Sequence, residues 1–113
     1  MPTIDGYRFG RIIVDGEEQT RDVIVLPDRI VRSWWRADGH ELVLGDLEDV
    51  LDELPECLLV GTGAYGRMRP EPETLEQLRE RGIEVEALPT GEAVRRYREL
   101  DPRRTAAALH LTC

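Results

Sequence analysis

Residues 57–66, CLLVGTGAYG, decide the fold class, because a short and fully apolar run leads directly into a glycine-rich turn. Such a run is typical of a strand buried on both faces of a sheet. Downstream, EPETLEQLRERG (71–82) has the apolar spacing of a helix, IEVEAL (83–88) reads as a strand, and Thr90 is placed to cap another helix. TAAALHLT (105–112) predicts a last buried strand. Strands joined by helices favour a mainly parallel sheet covered on both faces.

The half of the chain before this stretch has a different pattern, and residues 7–44 predict antiparallel β structure in four strands: 7–14, 20–26, 30–36 and 41–44. Asp15-Gly16 is a strong hairpin signal, since both residue types tolerate positive φ. A helix is expected from Asp46, a good N-cap residue, up to Pro55. We therefore predict one α/β domain over residues 1–113, with three layers, a mixed and mainly parallel sheet, helices on both faces, and antiparallel N-terminal strands.

Composition restricts the classes of function. The chain has 113 residues and a formal net charge of -8, which argues against binding to nucleic acid or to an anionic membrane surface. All 15 basic residues are arginine, so Schiff-base catalysis and a Walker-type phosphate lysine are excluded. No secretory signal is visible and no apolar run approaches the roughly 20 residues of a membrane span, which predicts a cytoplasmic protein.

The thiols and imidazoles do not suggest a metal centre. Cys57 and Cys113 are expected to be free, and only His40 and His110 accompany them as nitrogen or sulfur ligands. On a strand, His110 and Cys113 would point to opposite sides, so a thiolate–imidazole pair is not expected. The simpler interpretation is a histidine buried in a central strand, and we predict no bound metal.

The glycine turn fits the spacing G-x-G-x-x-G, and Glu86 lies where a ribose-binding acid would be expected. However, Pro70 and Pro72 delay the next helix, so that helix cannot begin at the glycines as a dinucleotide site requires. We interpret the glycines as positions of tight turning and close backbone approach, and predict no cofactor. A small-molecule or anion site at the turn remains the alternative, with these candidate residues: Gly61, Thr62, Gly63, Gly66 and Thr90.

The stretch WWRADGH (34–40) is the best candidate for a partner-binding surface. Adjacent residues of a strand face opposite sides, so one tryptophan should belong to the core and the other should be more exposed. Tryptophan and arginine dominate interface hot spots, which makes Trp34, Trp35, Arg36 and His40 the candidate residues. The alternative is that both tryptophans only pack, with Arg36 paired to an acid.

Four segments carry a family resemblance: SWWRADGHEL, LLVGTG, GIEVEALPTGEAVRRY and the final ALHLTC. Together they resemble the small domain of the animal adipogenesis-associated protein and, more distantly, a mitochondrial complex I assembly factor. The resemblance covers nearly the whole chain and implies a three-layer α/β fold with a mixed sheet. One departure is Arg98, which follows Tyr97 where relatives often have asparagine.

The resemblance implies a function in binding a partner protein, and no assembled catalytic set opposes that. We therefore expect a non-enzymatic, cytoplasmic adaptor or assembly-type factor whose protein partner is unknown. The alternative is an enzyme or small-molecule binder at the glycine turn. The sequence leaves self-association open.

Overall fold

A computed structural model describes residues 2–113 as two β-sheets, a short additional strand pair and three helices. A 3₁₀ helix spans Leu44–Glu53, and the α-helices are α1 (Pro72–Glu80) and α2 (Thr90–Glu99). The strands are β1 (Ile4–Arg8), β2 (Arg11–Val14), β3 (Glu17–Gln19), β4 (Val23–Val25), β5 (Ile30–Val31), β6 (Glu41–Leu42), β7 (Cys57–Thr62), β8 (Arg69–Pro70), β9 (Glu84–Leu88) and β10 (Thr105–His110).

The main sheet has the strand order β5-β4-β10-β7-β9 and is mixed. The pairings of β7 with β9 and with β10 are parallel, whereas β4 is antiparallel to both β10 and β5. The prediction of a mainly parallel sheet is therefore not confirmed. The physical reason lies in the connections: α1 and α2 lead into parallel strands, but a tight turn, closed by the bond from Leu26 N–H to the carbonyl of Arg29 (2.8 Å), reverses the chain between β4 and β5.

Apolar side chains of the main sheet divide into two clusters, one on each face. In β10, Ala106 and Ala108 belong to one cluster, whereas Ala107 and Leu109 belong to the other. The 3₁₀ helix and α1 cover the first face, and α2 together with the β1–β2–β3 sheet covers the second. Layers therefore lie on both sides of the sheet, as the alternation of strands and helices predicted.

The N-terminal strands are antiparallel, as predicted, but they form a separate sheet of order β1-β2-β3. The expectation of one strand across residues 7–14 is wrong, because the chain turns at Phe9 and Gly10, where Gly10 has φ 75°. The hairpin at Asp15-Gly16 is confirmed, and both residues have positive φ, 52° and 79°.

The predicted third strand ends early. β5 stops at Val31, and Ser33 has φ 54°, a left-handed conformation that breaks an extended run. β6 then pairs in parallel with β8 instead of joining an antiparallel set. Residues 7–44 are thus only partly antiparallel.

The predicted helix after residue 46 exists, but it is a 3₁₀ helix that begins at Leu44. Asp46 is therefore not its N-cap. Its carboxylate instead accepts hydrogen bonds from the N–H groups of Val43 (3.0 Å) and Ala37 (3.2 Å), which joins the helix start to the preceding loop. Across residues 2–113, no helix is both long enough and apolar enough to cross a membrane.

Candidate functional site

The carboxyl ends of β7 and β10 meet the start of α2 at one edge of the main sheet. The Thr90 hydroxyl donates to the carbonyl of His110 (2.6 Å) and accepts from Gly63 N–H (2.9 Å), while Thr90 N–H donates to the Gly63 carbonyl (2.9 Å). The structure thus brings the glycine turn and Thr90 together. Thr90 does not cap α2, because its hydroxyl is used to join two strand ends.

Two glycines are required here by close approach. A Cβ atom on Gly61 would lie 2.8 Å from Leu109 Cδ2 and 2.9 Å from the Thr90 hydroxyl oxygen. Gly63 has φ 101°, and its Cβ would lie 2.7 Å from the Thr112 carbonyl oxygen. The interpretation of the glycines as close-approach positions therefore agrees with the structure.

The turn directs its backbone donors inward. Ala64 N–H donates to the Thr112 carbonyl (2.7 Å) and Gly66 N–H to the Gly63 carbonyl (3.2 Å), in addition to the Gly63–Thr90 bond. Gly61, Thr62 and Gly63 are buried, and Gly66 is half-buried. These three N–H groups are therefore committed within the chain, whereas a phosphate cradle needs such groups to face a ligand.

Asp22, Arg36 and His110 form a partly buried polar cluster beside this edge. Asp22 Oδ2 lies 3.1 Å from Arg36 Nη2 and 2.8 Å from His110 Nδ1, and its Oδ1 accepts from Leu111 N–H at 2.9 Å. Arg36 Nη2 also lies 2.8 Å from His110 Nδ1. The arginine side chain is only 4% exposed. The sequence analysis did not predict Asp22 as a site residue. The one local feature that could have indicated it is its position directly before the apolar run VIVL.

The electrostatics of the cluster favour an ionised Asp22. Burial alone would raise the pKa of this carboxyl, but the hydrogen bonds from His110 and Leu111 N–H, the charge of His110 when protonated, and the bond from Arg36 outweigh it and lower the pKa. His110 Nδ1 either donates to Asp22 or accepts from Arg36, since one ring nitrogen has one role at a time. Either way, the carboxylate holds the C-terminal end of β10 in place.

Arg36 is therefore not part of an exposed patch, contrary to its candidate role at a partner surface. Its Nη1 donates to the carbonyls of Asp38 and Gly39, both at 3.0 Å, and its guanidinium carbon lies 5.5 Å from the ring centre of Trp34. The alternative interpretation, an arginine paired to an acid, describes it correctly. Arg36 therefore holds the 36–39 loop in place through these hydrogen bonds from its buried side chain.

The two tryptophans have opposite environments. Trp34 is 8% exposed and donates its indole N–H to the Asp46 carbonyl (2.8 Å), whereas Trp35 is 77% exposed. The expectation that one is core and the other exposed is confirmed.

His40 is exposed as well; its N–H donates to Asp38 Oδ1 (2.8 Å) and its carbonyl accepts from Arg69 N–H (2.9 Å).

Trp35 lies on a cleft of about 400 Å³ beside the 3₁₀ helix. Apolar side chains, two carboxylates and Arg32 line this cleft. Its lining includes Ile24, Val31, Trp34, Asp46, Asp49 and Val50.

Cys57 is not placed as an activated nucleophile. The Cys57 thiol has a raised pKa, through burial first and then the nearby charges of Glu86 and Glu84, so it stays protonated at neutral pH. Cys113 is exposed. Among residues 2–113, no three side chains of the ligand types His, Cys, Asp and Glu come together in a group that could hold a metal ion.

Residues 4–110 match a family described as a protein of unknown function, DUF498/DUF598. The chain belongs to this family. A conserved hypothetical protein of Pyrococcus horikoshii OT3 has 34% identity and a TM-score of 0.86, with 98% of this chain and 99% of that chain covered.

Other solved structures related to this DUF498/DUF598 chain carry different descriptions. A Mth938-like domain from Bordetella pertussis has 25% identity and a TM-score of 0.78, covering 96% of this chain and 85% of that chain. A protein of Bartonella henselae described as an outer membrane protein has 28% identity and a TM-score of 0.81, covering 97% and 94%. The relation to the adipogenesis-associated protein stays a prediction, as does the cytoplasmic location.

Proposed function

We propose that this DUF498/DUF598 chain is a non-enzymatic binding module that recognises a partner protein, with Trp35 as its anchor. The observation that carries the proposal is the exposure of Trp35, 77%, on a cleft lined by both apolar and charged side chains. Tryptophan is among the residues most enriched in interface hot spots, where a large side chain enters or borders a desolvated pocket.

The backbone on both sides of Trp35 is held in place. On one side Trp34 is fixed by its bond to the Asp46 carbonyl and by its own N–H donating to the carbonyl of Asp22 (2.8 Å). On the other side Arg36 is bound to Asp22 and to two loop carbonyls. An anchor on fixed backbone loses little conformational entropy on binding, which favours a role in recognition.

Ser33 supports the same interpretation. Its φ of 54° is a conformation that non-glycine residues rarely adopt, and it directs Trp34 inward and Trp35 outward at the end of β5. Local backbone strain of this kind, about 1–3 kcal/mol, tends to occur at functional positions.

The cleft indicates the chemistry of the partner segment. The half-buried Val31 and the exposed Trp35 ring offer apolar contact, while Asp46 and Asp49 add negative charge beside the indole. We therefore infer a partner segment with an apolar side chain next to a lysine or arginine, in which the cation faces the carboxylates.

Photo-crosslinking tests this function in cells of the source organism. Benzoylphenylalanine in place of Trp35 should capture a discrete protein, identified by mass spectrometry, whereas the same group in place of the exposed Arg103 should not. Arg103 precedes β10 and so lies toward the opposite end of the sheet.

The captured protein is then purified and its affinity measured. Trp35→Ala should weaken binding by at least about tenfold, as expected for a hot spot, and should leave the melting temperature within a few degrees. Identical capture from both positions, or unchanged affinity of Trp35→Ala, would refute the proposal.

A further inference from the structure

A second exposed aromatic group lies at the carboxyl edge of the main sheet, on residues other than those of the Trp35 cleft. Phe9 is 54% exposed and Tyr65 is 68% exposed, and their ring centres are 6.1 Å apart with an angle of 42° between the planes. Phe9 comes from the β1–β2 turn and Tyr65 from the glycine turn, so two elements distant in sequence meet at this point.

Both turns are tied to the segment that follows β10. Gly10 N–H and the Tyr7 hydroxyl each donate to the Leu111 carbonyl (2.8 Å), and Ala64 N–H donates to the Thr112 carbonyl (2.7 Å). The pKa of Tyr7 is raised, by burial first and then by the charges of Asp22 and Tyr65, so its hydroxyl remains a donor. The aromatic pair thus rests on fixed backbone rather than on a free loop.

The charge beside this pair is opposite to that of the chain as a whole. The guanidinium carbon of Arg67 lies 5.9 Å from the Tyr65 ring centre, and both Arg67 and Arg69 are exposed. Within residues 2–113, neither arginine makes an ion pair. In a chain of net charge -8, two exposed arginines on the segment that follows Tyr65 favour a ligand that carries negative charge.

We propose that Phe9, Tyr65 and Arg67 form a second docking surface, for an acidic peptide segment that carries an aromatic side chain between carboxylates. The aromatic side chain would pack on the Phe9–Tyr65 pair, and the carboxylates would pair with Arg67 and Arg69. Nucleic acid fits less well, because it is a uniform polyanion that would extend beyond this small site onto the acidic remainder of the surface. This goes beyond the proposed function, since it makes the chain a module with two separate binding surfaces.

The probe is a synthetic peptide of the order Glu-Glu-Phe-Glu-Glu, titrated into ¹⁵N-labelled protein. Amide shifts are expected to concentrate at residues 9–10 and 64–67 and to follow a Kd of about 1 mM or tighter. Two matched control peptides are used. One has lysine in place of every glutamate, and the other has alanine in place of the phenylalanine. A short oligothymidylate tests the nucleic-acid alternative.

Three variants make the test specific. Tyr65→Ala and Arg67→Glu should each weaken the affinity for the peptide by at least about fivefold. Trp35→Ala should bind the peptide with wild-type affinity, which would show that this surface is separate from the Trp35 cleft. All three positions are exposed, and melting temperatures verify folding. The proposal is overturned if the lysine or alanine peptide binds equally well, if oligothymidylate binds more tightly than the acidic peptide, or if no shifts appear at these residues.

Discussion

Removal of the Asp22 carboxylate should be the most damaging single change at the polar cluster. Asp22→Ala deletes the acceptor of Leu111 N–H and the partner of both Arg36 and His110. Breaking a buried ion pair by removing one partner costs about 3–5 kcal/mol. We expect the lower end, about 3 kcal/mol, because the Asp22 side chain is 16% exposed and Arg36 keeps its bonds to two loop carbonyls.

Urea denaturation followed by tryptophan fluorescence measures this loss. With an m-value of about 2 kcal/mol per M, a loss of about 3 kcal/mol moves the midpoint by about 1.5 M. Glu76→Ala is the matched control, since it also removes one carboxylate from an ion pair, but from an exposed one; it should change stability by less than about 0.5 kcal/mol. A loss below about 1 kcal/mol for Asp22→Ala, at constant m, would refute the reasoning.

The stability that Asp22 contributes should also depend on pH. The pKa of Asp22 is lower in the folded chain than in the unfolded chain, so its contribution to stability is complete above the unfolded value of about 3.9. As the pH falls through the lower folded value, the carboxylate is protonated and the contribution is lost. The stability difference between wild type and Asp22→Ala should therefore narrow below about pH 4, and a difference that stays constant there contradicts the assignment of charge.

Two further changes test the edge where the strands are joined. Gly63→Ala should cost about 2 kcal/mol or more in urea denaturation, because φ is 101° and the new Cβ meets the Thr112 carbonyl; Gly39→Ala, whose Cβ meets nothing within 4 Å, is the control and should be nearly neutral. Thr90→Val should cost about 1–3 kcal/mol, since it leaves the buried Gly63 N–H and the His110 carbonyl without their partner. Equal free energies of unfolding for Gly63→Ala and Gly39→Ala, or a neutral Thr90→Val, would contradict these contacts.

The second half of the fold could be predicted from local signals. β7, α1, β9, α2 and β10 all appear within a few residues of their expected bounds. The bounds of α1 could be predicted because Pro72 stands at its start and Gly82, with φ 81°, follows its end. The first half was less predictable, because its strands have only two to five residues and their ends depend on single conformations such as that of Ser33.

The polar cluster and the aromatic pair could not be predicted, because their members are far apart in sequence. Asp22 and His110 are separated by 88 positions, and neither has a local pattern that points to the other. For the tryptophans, the outcome could be predicted from the sequence but its structural cause could not. The expected contrast in exposure is confirmed, but it arises from the left-handed Ser33 and not from the alternation of a strand, which does not continue to Trp34.

The position of β10 has a consequence for how the domain is formed during synthesis. Among residues 2–113 it is the last strand in sequence, yet it lies between β4 and β7 and alone joins the β5–β4 pair to the β7–β9 pair. Before residues 105–110 leave the ribosome, the nascent chain holds two separate two-stranded ribbons, which are marginal on their own. The domain should therefore reach its native state late, in one cooperative step, with its apolar sheet faces exposed to chaperones until β10 inserts.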